Sequence, residues 1–233
     1  PFTDLPEFIA ASQWTQAEGL RYALEANRRR KYQNSGSIVW QFNEPWPNVS
    51  CTSVVDYYGR PKMAYHWLRK AYAPLHASLR YEKLGFRAGE RFTSECFIHS
   101  SHYEGSLHWH AECFDMRGRI LWSDEGEMQV EPNSVTPVKD LSFVVEPTYL
   151  GLFAIRLRLH TTEGAVDENV YLFSSVDDGP LFAGVRELVK PTLACKSSAE
   201  QSESGPCGFP CHRYHITNTG KTAALYVRTD SPA

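Results

Sequence analysis

The sequence predicts a multidomain chain that is α/β at its start and all-β afterwards. Two observations carry this. In the first third, apolar residues recur at helical spacing on both sides of one short apolar run. From about Ser78 the texture changes to short β-branched and aromatic segments punctuated by Gly, Pro and Asn. The expected divisions are 1–76 for the α/β part, 77–180 for an antiparallel β-sandwich, and 181–233 for the partial beginning of a second β-sandwich.

Thr15 with Glu18 three residues on is a capping-box pattern, and Ala17, Leu20, Ala23, Leu24 and Asn27 follow at helical spacing up to the basic run Arg28 to Lys31. A helix over about 15–31 is predicted. Asn34, Ser35 and Gly36 break it. Ser37 to Phe42 (SIVWQF) is largely apolar without polar alternation, the pattern of a strand covered on both faces. Pro61 stands at a favourable first helical position, Ala64, Trp67, Leu68 and Ala71 mark one face of a second helix, and Pro74 ends it.

Beyond Ser78 the candidate strands are Arg91 to Ile98, Ser106 to Phe114, Arg119 to Trp122, Glu127 to Glu131, Pro137 to Val145, Leu152 to Leu159 and Asn169 to Ser174. Gly105, Gly118, Gly126, Pro132 with Asn133, Gly151 and Gly164 separate them. Seven or so strands at this spacing indicate a sandwich of immunoglobulin-like outline. In one of them Phe153, Ile155, Leu157 and Leu159 alternate with Ala154, Arg156 and Arg158, giving a buried and a wet face. After Phe182, a Ser/Glu/Gly loop at Lys196 to Gly208 leads to strand-like runs around Tyr214 to Thr217 and Ala223 to Arg228.

Composition narrows the function. The 233 residues are 42% hydrophobic and 13% aromatic, enough for a sizeable core. A net charge of −3 with interspersed signs offers no basic field for a phosphate backbone, so nucleic acid is not an expected partner. No apolar run approaches the roughly 20 residues needed to span a bilayer, so neither is a membrane. Six scattered cysteines, Cys51, Cys96, Cys113, Cys195, Cys207 and Cys211, suit reduced thiols better than a disulfide scaffold.

The densest functional signal is Trp40-Gln41-Phe42-Asn43-Glu44-Pro45-Trp46-Pro47, at the end of the apolar run. Two Trp, two amides and a carboxylate suit sugar recognition, because ring C–H faces pack on aromatics and hydroxyls need polar partners. Trp40, Gln41, Asn43, Glu44 and Trp46 are the candidate binding residues, with carbohydrate as the expected ligand.

Ser35 to Leu75 (SGSIVWQFNEPWPNVSCTSVVDYYGRPKMAYHWLRKAYAPL) resembles the last strand and helix of the catalytic barrel in glycoside hydrolase family 2, on the β-mannosidase branch. There the strand ends in a Trp-Gln-Leu-Asn-Asp-x-Trp type motif; here Phe42 stands for Leu and Glu44 for Asp. Gln16 to Lys31 resembles the preceding helix. The resemblance implies that 1–76 is the C-terminal part of a (β/α)8 barrel, that the immunoglobulin-like sandwich follows it, and that both catalytic Glu residues lie in upstream domains of the same polypeptide. Asn43-Glu44 also matches the Asn-Glu pair that other barrel glycosidases use on strand four, where Glu is the acid/base. Strand four, however, needs four further strand-helix units, and one helix and a sandwich follow here. Retaining hydrolysis needs a second carboxylate about 5 to 5.5 Å away, and no other occupies a plausible strand end. Glu44 therefore reads as a binding or orienting residue before an acid/base or a purely structural carboxylate.

The implied activity is part of a retaining exo-β-glycosidase, β-mannosides first, with no catalytic residue in this chain and no cofactor. The rival reading is a non-catalytic carbohydrate-binding or structural sandwich. A binding module would carry an exposed aromatic platform on a sandwich face; the enzyme reading places exposed aromatics at Trp40 and Trp46.

Other patterns read as structural. Tyr57 and Tyr58 form an aromatic wedge ahead of the second helix. His99, His102, His108 and His110 read as exposed strand histidines. Cys207, Cys211, His212 and His215 are spaced too tightly for a zinc finger, and no metal is expected. Asn48-Val49-Ser50 is a formal sequon, discounted beside the Trp motif.

Overall fold

The computed structural model describes residues 2–48, 51–198, 213–225 and 227. Two helices lead the chain: α1 (Leu5–Arg29) and α2 (Met63–Ala71). α1 begins ten residues before the predicted start. Asp4 caps it by accepting from the Glu7 backbone N–H at 2.9 Å, and the Glu7 carboxylate reaches back to the Thr3 N–H at 2.6 Å. That closes the helix at its true end. Thr15 lies mid-helix, its hydroxyl donating to Ala11 O at 2.9 Å, so the Thr15–Glu18 spacing is no cap. α2 starts two residues after Pro61, with Lys62 at its N-cap.

The expected strand at Ser37–Phe42 is absent, and Ile38 (98% exposed) and Trp40 (84%) lie open. A central strand is held by ladder bonds to neighbours on both sides, and among the described residues backbone bonds reach this run only at its end, from Val54 and Val55 to Gln41 and Phe42. Val39 packs against the helices, partly buried beside a small core of Ala17, Leu24, Val54, Ala64, Leu68 and Ala71.

Seven antiparallel strands follow: β1 (Leu75–Arg80), β2 (Arg91–Ser100), β3 (Gly105–Asp115), β4 (Ile120–Val130), β5 (Ser134–Val144), β6 (Leu152–Thr161) and β7 (Gly164–Ser174). They form two sheets, ordered β1-β2-β5 and β4-β3-β6-β7. β1 was not predicted. Arg119–Trp122 and Glu127–Glu131 belong to the single strand β4, because Gly126 does not interrupt it. The irregular residues 145–148 and a short 3-10 turn, Tyr149–Gly151, stand between β5 and β6.

The two sheets meet face to face. Phe92 and Phe143 from one contact Phe153 and Phe173 from the other, with ring centroids 5.2 Å apart for Phe92–Phe173. Burying each such ring stabilises the fold by about 1.5–3 kcal/mol. β6 shows the predicted alternation only in part: Phe153, Ile155, Leu157 and Leu159 are buried and Arg156 and Arg158 partly exposed, but Ala154, expected on the wet face, is buried in a second cluster with Met116, Leu152 and Leu172. Pro137 sits in edge strand β5, next to the bulge at Cys96/Phe97 of its partner, where a missing N–H is tolerated.

Beyond the sandwich, β8 (Leu193–Ser198) and β9 (Arg213–Asn218) form a two-stranded sheet. Ala223 to Leu225 make no strand; the Ala223 N–H donates to Met116 O at 2.8 Å, and both side chains pack beside Met116 and Leu152. Cys51, Cys96, Cys113 and Cys195 are free thiols. Burial pushes Cys96 and Cys113 up to about 12.

α1 faces two ways. Ala17 and Leu24 meet α2, whereas Glu18, Arg21 and Glu25 are buried against the sandwich; Ala23, predicted inside, is exposed. Glu25 Oε1 lies 3.0 Å from His76 Nε2 of β1, and Tyr171 OH of β7 donates to Glu25 Oε2 at 2.7 Å. The other side of His76 meets Asp167 Oδ2 at 3.0 Å, at ion-pair distance but off hydrogen-bond alignment. Asn169 Nδ2 donates to Glu25 Oε1 at 3.0 Å. Arg21 binds both Glu18 oxygens and donates to Val170 O at 2.6 Å, its guanidinium lying over Trp67 and Tyr171.

Candidate functional site

The Trp motif lies on an irregular segment folded back on the stretch before α2. Val55 N–H donates to Phe42 O at 2.9 Å, Val54 N–H to the same oxygen at 3.1 Å, and Thr52 Oγ1 to Trp40 O at 3.0 Å. The turn at Asp56–Arg60 closes this hairpin-like fold: Gly59 N–H donates to Asp56 O at 3.0 Å, and Gly59 takes φ 78°, which favours glycine. Lys62 N–H then donates to Val54 O at 2.9 Å as the chain enters α2.

Glu44 anchors the segment. It is 5% exposed, and its Oε1 accepts from Lys62 Nζ at 2.6 Å and from the Ser53 hydroxyl. Lys62 Nζ also donates to Ser53 Oγ at 3.0 Å and Cys51 O at 3.3 Å. The Lys62 ammonium and the Ser53 hydroxyl hold the Glu44 carboxyl below the usual carboxylate range, so it is ionised at neutral pH. Gln41 Nε2 contacts Cys51 Sγ at 3.3 Å, and a backbone hydrogen bond from Ser53, with Gln41, lowers that thiol.

Around this anchor the other candidates open to solvent. Trp40 (84% exposed), Trp46 (63%) and Asn43 are exposed, and Gln41 is half-buried. Phe42 is exposed as well, 6.3 Å from the Tyr65 ring, and Tyr57 and Tyr58 pack edge to face at 5.2 Å. The segment thus displays aromatic faces and neutral amides above a buried, neutralised carboxylate.

No family model matches the chain. Curated relatives do. Beta-mannosidase B of Aspergillus niger is 34% identical over 83 residues, which is 34% of this chain and 10% of the relative, and the same enzyme of Emericella nidulans matches to the same extent. Among solved structures, the β-D-mannosidase of Dictyoglomus thermophilum covers 88% of this chain at TM-score 0.63 and 22% identity. These likenesses support a C-terminal piece of a family 2 glycoside hydrolase, similar to its β-mannosidase branch.

An exo-chitosanase of Amycolatopsis orientalis, solved with PNP-β-D-glucosamine, also superposes, at TM-score 0.72 over 94% of this chain with 19% identity. Likeness at that identity speaks to fold: the β-rich architecture is that of these family 2 enzymes. The matches cover 10% of the curated relatives and 23–27% of these two solved structures.

Sequence reasoning missed Lys62 and Ser53, the partners of Glu44. Arg60-Pro61-Lys62 reads only as a helix entry, and no spacing rule announces a contact across 18 residues. It also misplaced His99, which is buried, its Nε2 2.7 Å from Ser78 Oγ. His102 is exposed, and His108 and His110 are partly exposed. Among the described residues no group of three His, Cys, Asp or Glu could hold a metal ion. Cys207, Cys211 and His212, and Val49 with Ser50 of the sequon, lie outside the described residues.

Proposed function

We propose that this chain is part of a retaining exo-β-glycosidase that removes terminal β-linked sugars, β-mannosides first and β-glucosaminides or β-galactosides after them. The observation that carries the reading is the placement of exposed aromatics. Trp40, Phe42, Trp46, Tyr57 and Tyr58 are exposed around one segment, while among the described residues no exposed aromatic lies on β1–β7. A carbohydrate-binding sandwich would need the opposite distribution.

In this reading Trp40 is the aromatic floor for a sugar ring, Gln41 and Asn43 are hydroxyl partners, and Trp46 forms part of the rim. Glu44, ionised against Lys62, suits binding and orienting better than proton donation, since a general acid must retain its proton near neutral pH. The catalytic carboxylate pair is assigned to upstream domains of the same polypeptide. The open apolar row Ile38, Trp40, Phe42 supports 1–76 as a piece of a (β/α)8 barrel, because such a row is stable when neighbouring strands cover it.

The test is nitrophenol release from aryl β-mannoside, β-glucosaminide, β-glucoside and β-galactoside. The chain alone is expected to give no turnover, and the polypeptide that carries it to hydrolyse the mannoside fastest. Failure of that polypeptide to cleave any of the four would overturn the reading.

A further inference from the structure

A cavity of about 260 Å³ lies at the C-terminal end of α1, bounded by Arg28 of the helix, Lys31 just past its C-cap, the turn at Asn34–Ser37, and the ends of β2 and β5 at Ser101 and Ser134. Two cations and no carboxylate are among its described lining residues. Arg28 stands in the last turn of α1, where it also donates to Ala71 O and feels the Glu25 and Asp167 carboxylates, and Lys31 follows just past the C-cap at Arg30. Burial and the nearby Arg28 hold the Lys31 ammonium below its usual value. The same positive field reaches His99, which also lines the cavity: burial, then Arg28, His76, Arg29 and Lys31, keep its imidazole neutral, and its buried Nδ1 has no hydrogen-bond partner among the described residues.

Donor capacity is left over as well. Lys31 Nζ reaches Ser100 O at only 3.4 Å, and among the described residues no hydrogen bond uses the Asn34 amide nitrogen or the Ser101 hydroxyl. The carbonyl end of α1 opposes an anion with roughly half a charge, which two full positive charges outweigh.

We propose that this cavity binds a small oxyanion of the phosphate or sulfate class, held by Arg28 and Lys31 with Asn34 and Ser101 as neutral donors. Donors approach from the helix, the turn and the strand ends, which fits a tetrahedral group with acceptors on several sides better than a planar carboxylate. The volume admits such an ion or a monosaccharide bearing one, and is too small for an oligosaccharide. The site shares no lining residue with the Trp40–Trp46 segment and does not depend on the glycosidase reading.

The experiment is titration calorimetry of the chain with inorganic phosphate and with sulfate, at constant ionic strength made up with chloride. Saturable binding is expected, weakened about tenfold by Lys31→Gln and unchanged by Lys190→Gln, which lies outside the cavity. Should Lys31→Gln fail to melt cooperatively, Ser101→Leu, which fills the cavity from the sandwich side, is expected to abolish the heat. A hexose 6-phosphate arm distinguishes the source: tighter binding than inorganic phosphate marks a sugar-borne group, and equal or weaker binding marks the free ion. Absence of saturable heat with both phosphate and sulfate, or full binding by Lys31→Gln, would overturn the proposal.

Discussion

His76 on β1 lies 3.0 Å from Glu25 on α1 while its other ring nitrogen lies 3.0 Å from Asp167 on β7, so one buried imidazole ties the helix to both sheets of the sandwich. Removing it leaves two buried carboxylates without their cation. His76→Ala is expected to lose about 3–5 kcal/mol of stability, measured by urea unfolding. A loss below about 1 kcal/mol would show that the pair contributes little.

The same contact sets a pH dependence. Burial opposes a charged His76, but Asp167 and Glu25 outweigh it and raise its pKa above the usual value of 6.5. Its stabilisation is therefore complete below that value and lost as pH rises through the raised folded one. Burial likewise opposes a charged Glu25, but His76, Arg21 and Tyr171 outweigh it and lower its pKa from 4.5. Its contribution is present above 4.5 and lost as pH falls through the depressed value. Glu18, raised chiefly by burial, works against this acid limb. Thermal melts from pH 4 to 9 should place maximum stability on the mildly acidic side of neutrality, and His76→Gln should flatten the alkaline limb.

Gly126 pairs with Trp109, and a Cβ there would stand 3.1–3.2 Å from three indole atoms. Gly126→Ala is expected to cost about 1–3 kcal/mol in a denaturant melt, since the 7%-exposed indole has little room to retreat.

That glycine shows what the sequence could reveal and what it could not. Strand spacing made most of the sandwich legible, because short β-branched runs between turn residues have few other solutions. Gly126 read as a break because spacing says nothing of the indole across the sheet. The start of α1 was legible in Asp4 and Glu7, but Thr15 and Glu18 imitate the same signal inside the helix. Ser37–Phe42 carries strand propensity whose realisation depends on partners, and no ladder forms without them. The candidate site was visible as a cluster of residue types. Its lysine anchor was not, because Glu44 and Lys62 meet only through the turn at Asp56–Arg60.

Trp40 is open to solvent, so Trp40→Ala should leave stability within about 0.5 kcal/mol of the parent, read by thermal melting. In the polypeptide proposed to be the glycosidase, the same change should raise KM more than it lowers kcat.

Glu44→Gln in that polypeptide keeps side-chain size but removes the charge facing Lys62. A loss in kcat/KM on the order of 10- to 150-fold is expected, similar for good and poor leaving groups, with no rescue by azide. A defect that vanishes with an activated aryl leaving group would instead make Glu44 the acid/base.

The seam between α1 and the sandwich bears on protein engineering. A graft that took 77–180 alone would sever Glu25 and Arg21 from Asn169 and Tyr171 and cut β1 beside His76, presenting water with a surface built for burial. The sandwich is not a portable cassette. A transplant that keeps its solubility must begin no later than Asp4, where the helix is capped, and carry α1 with it.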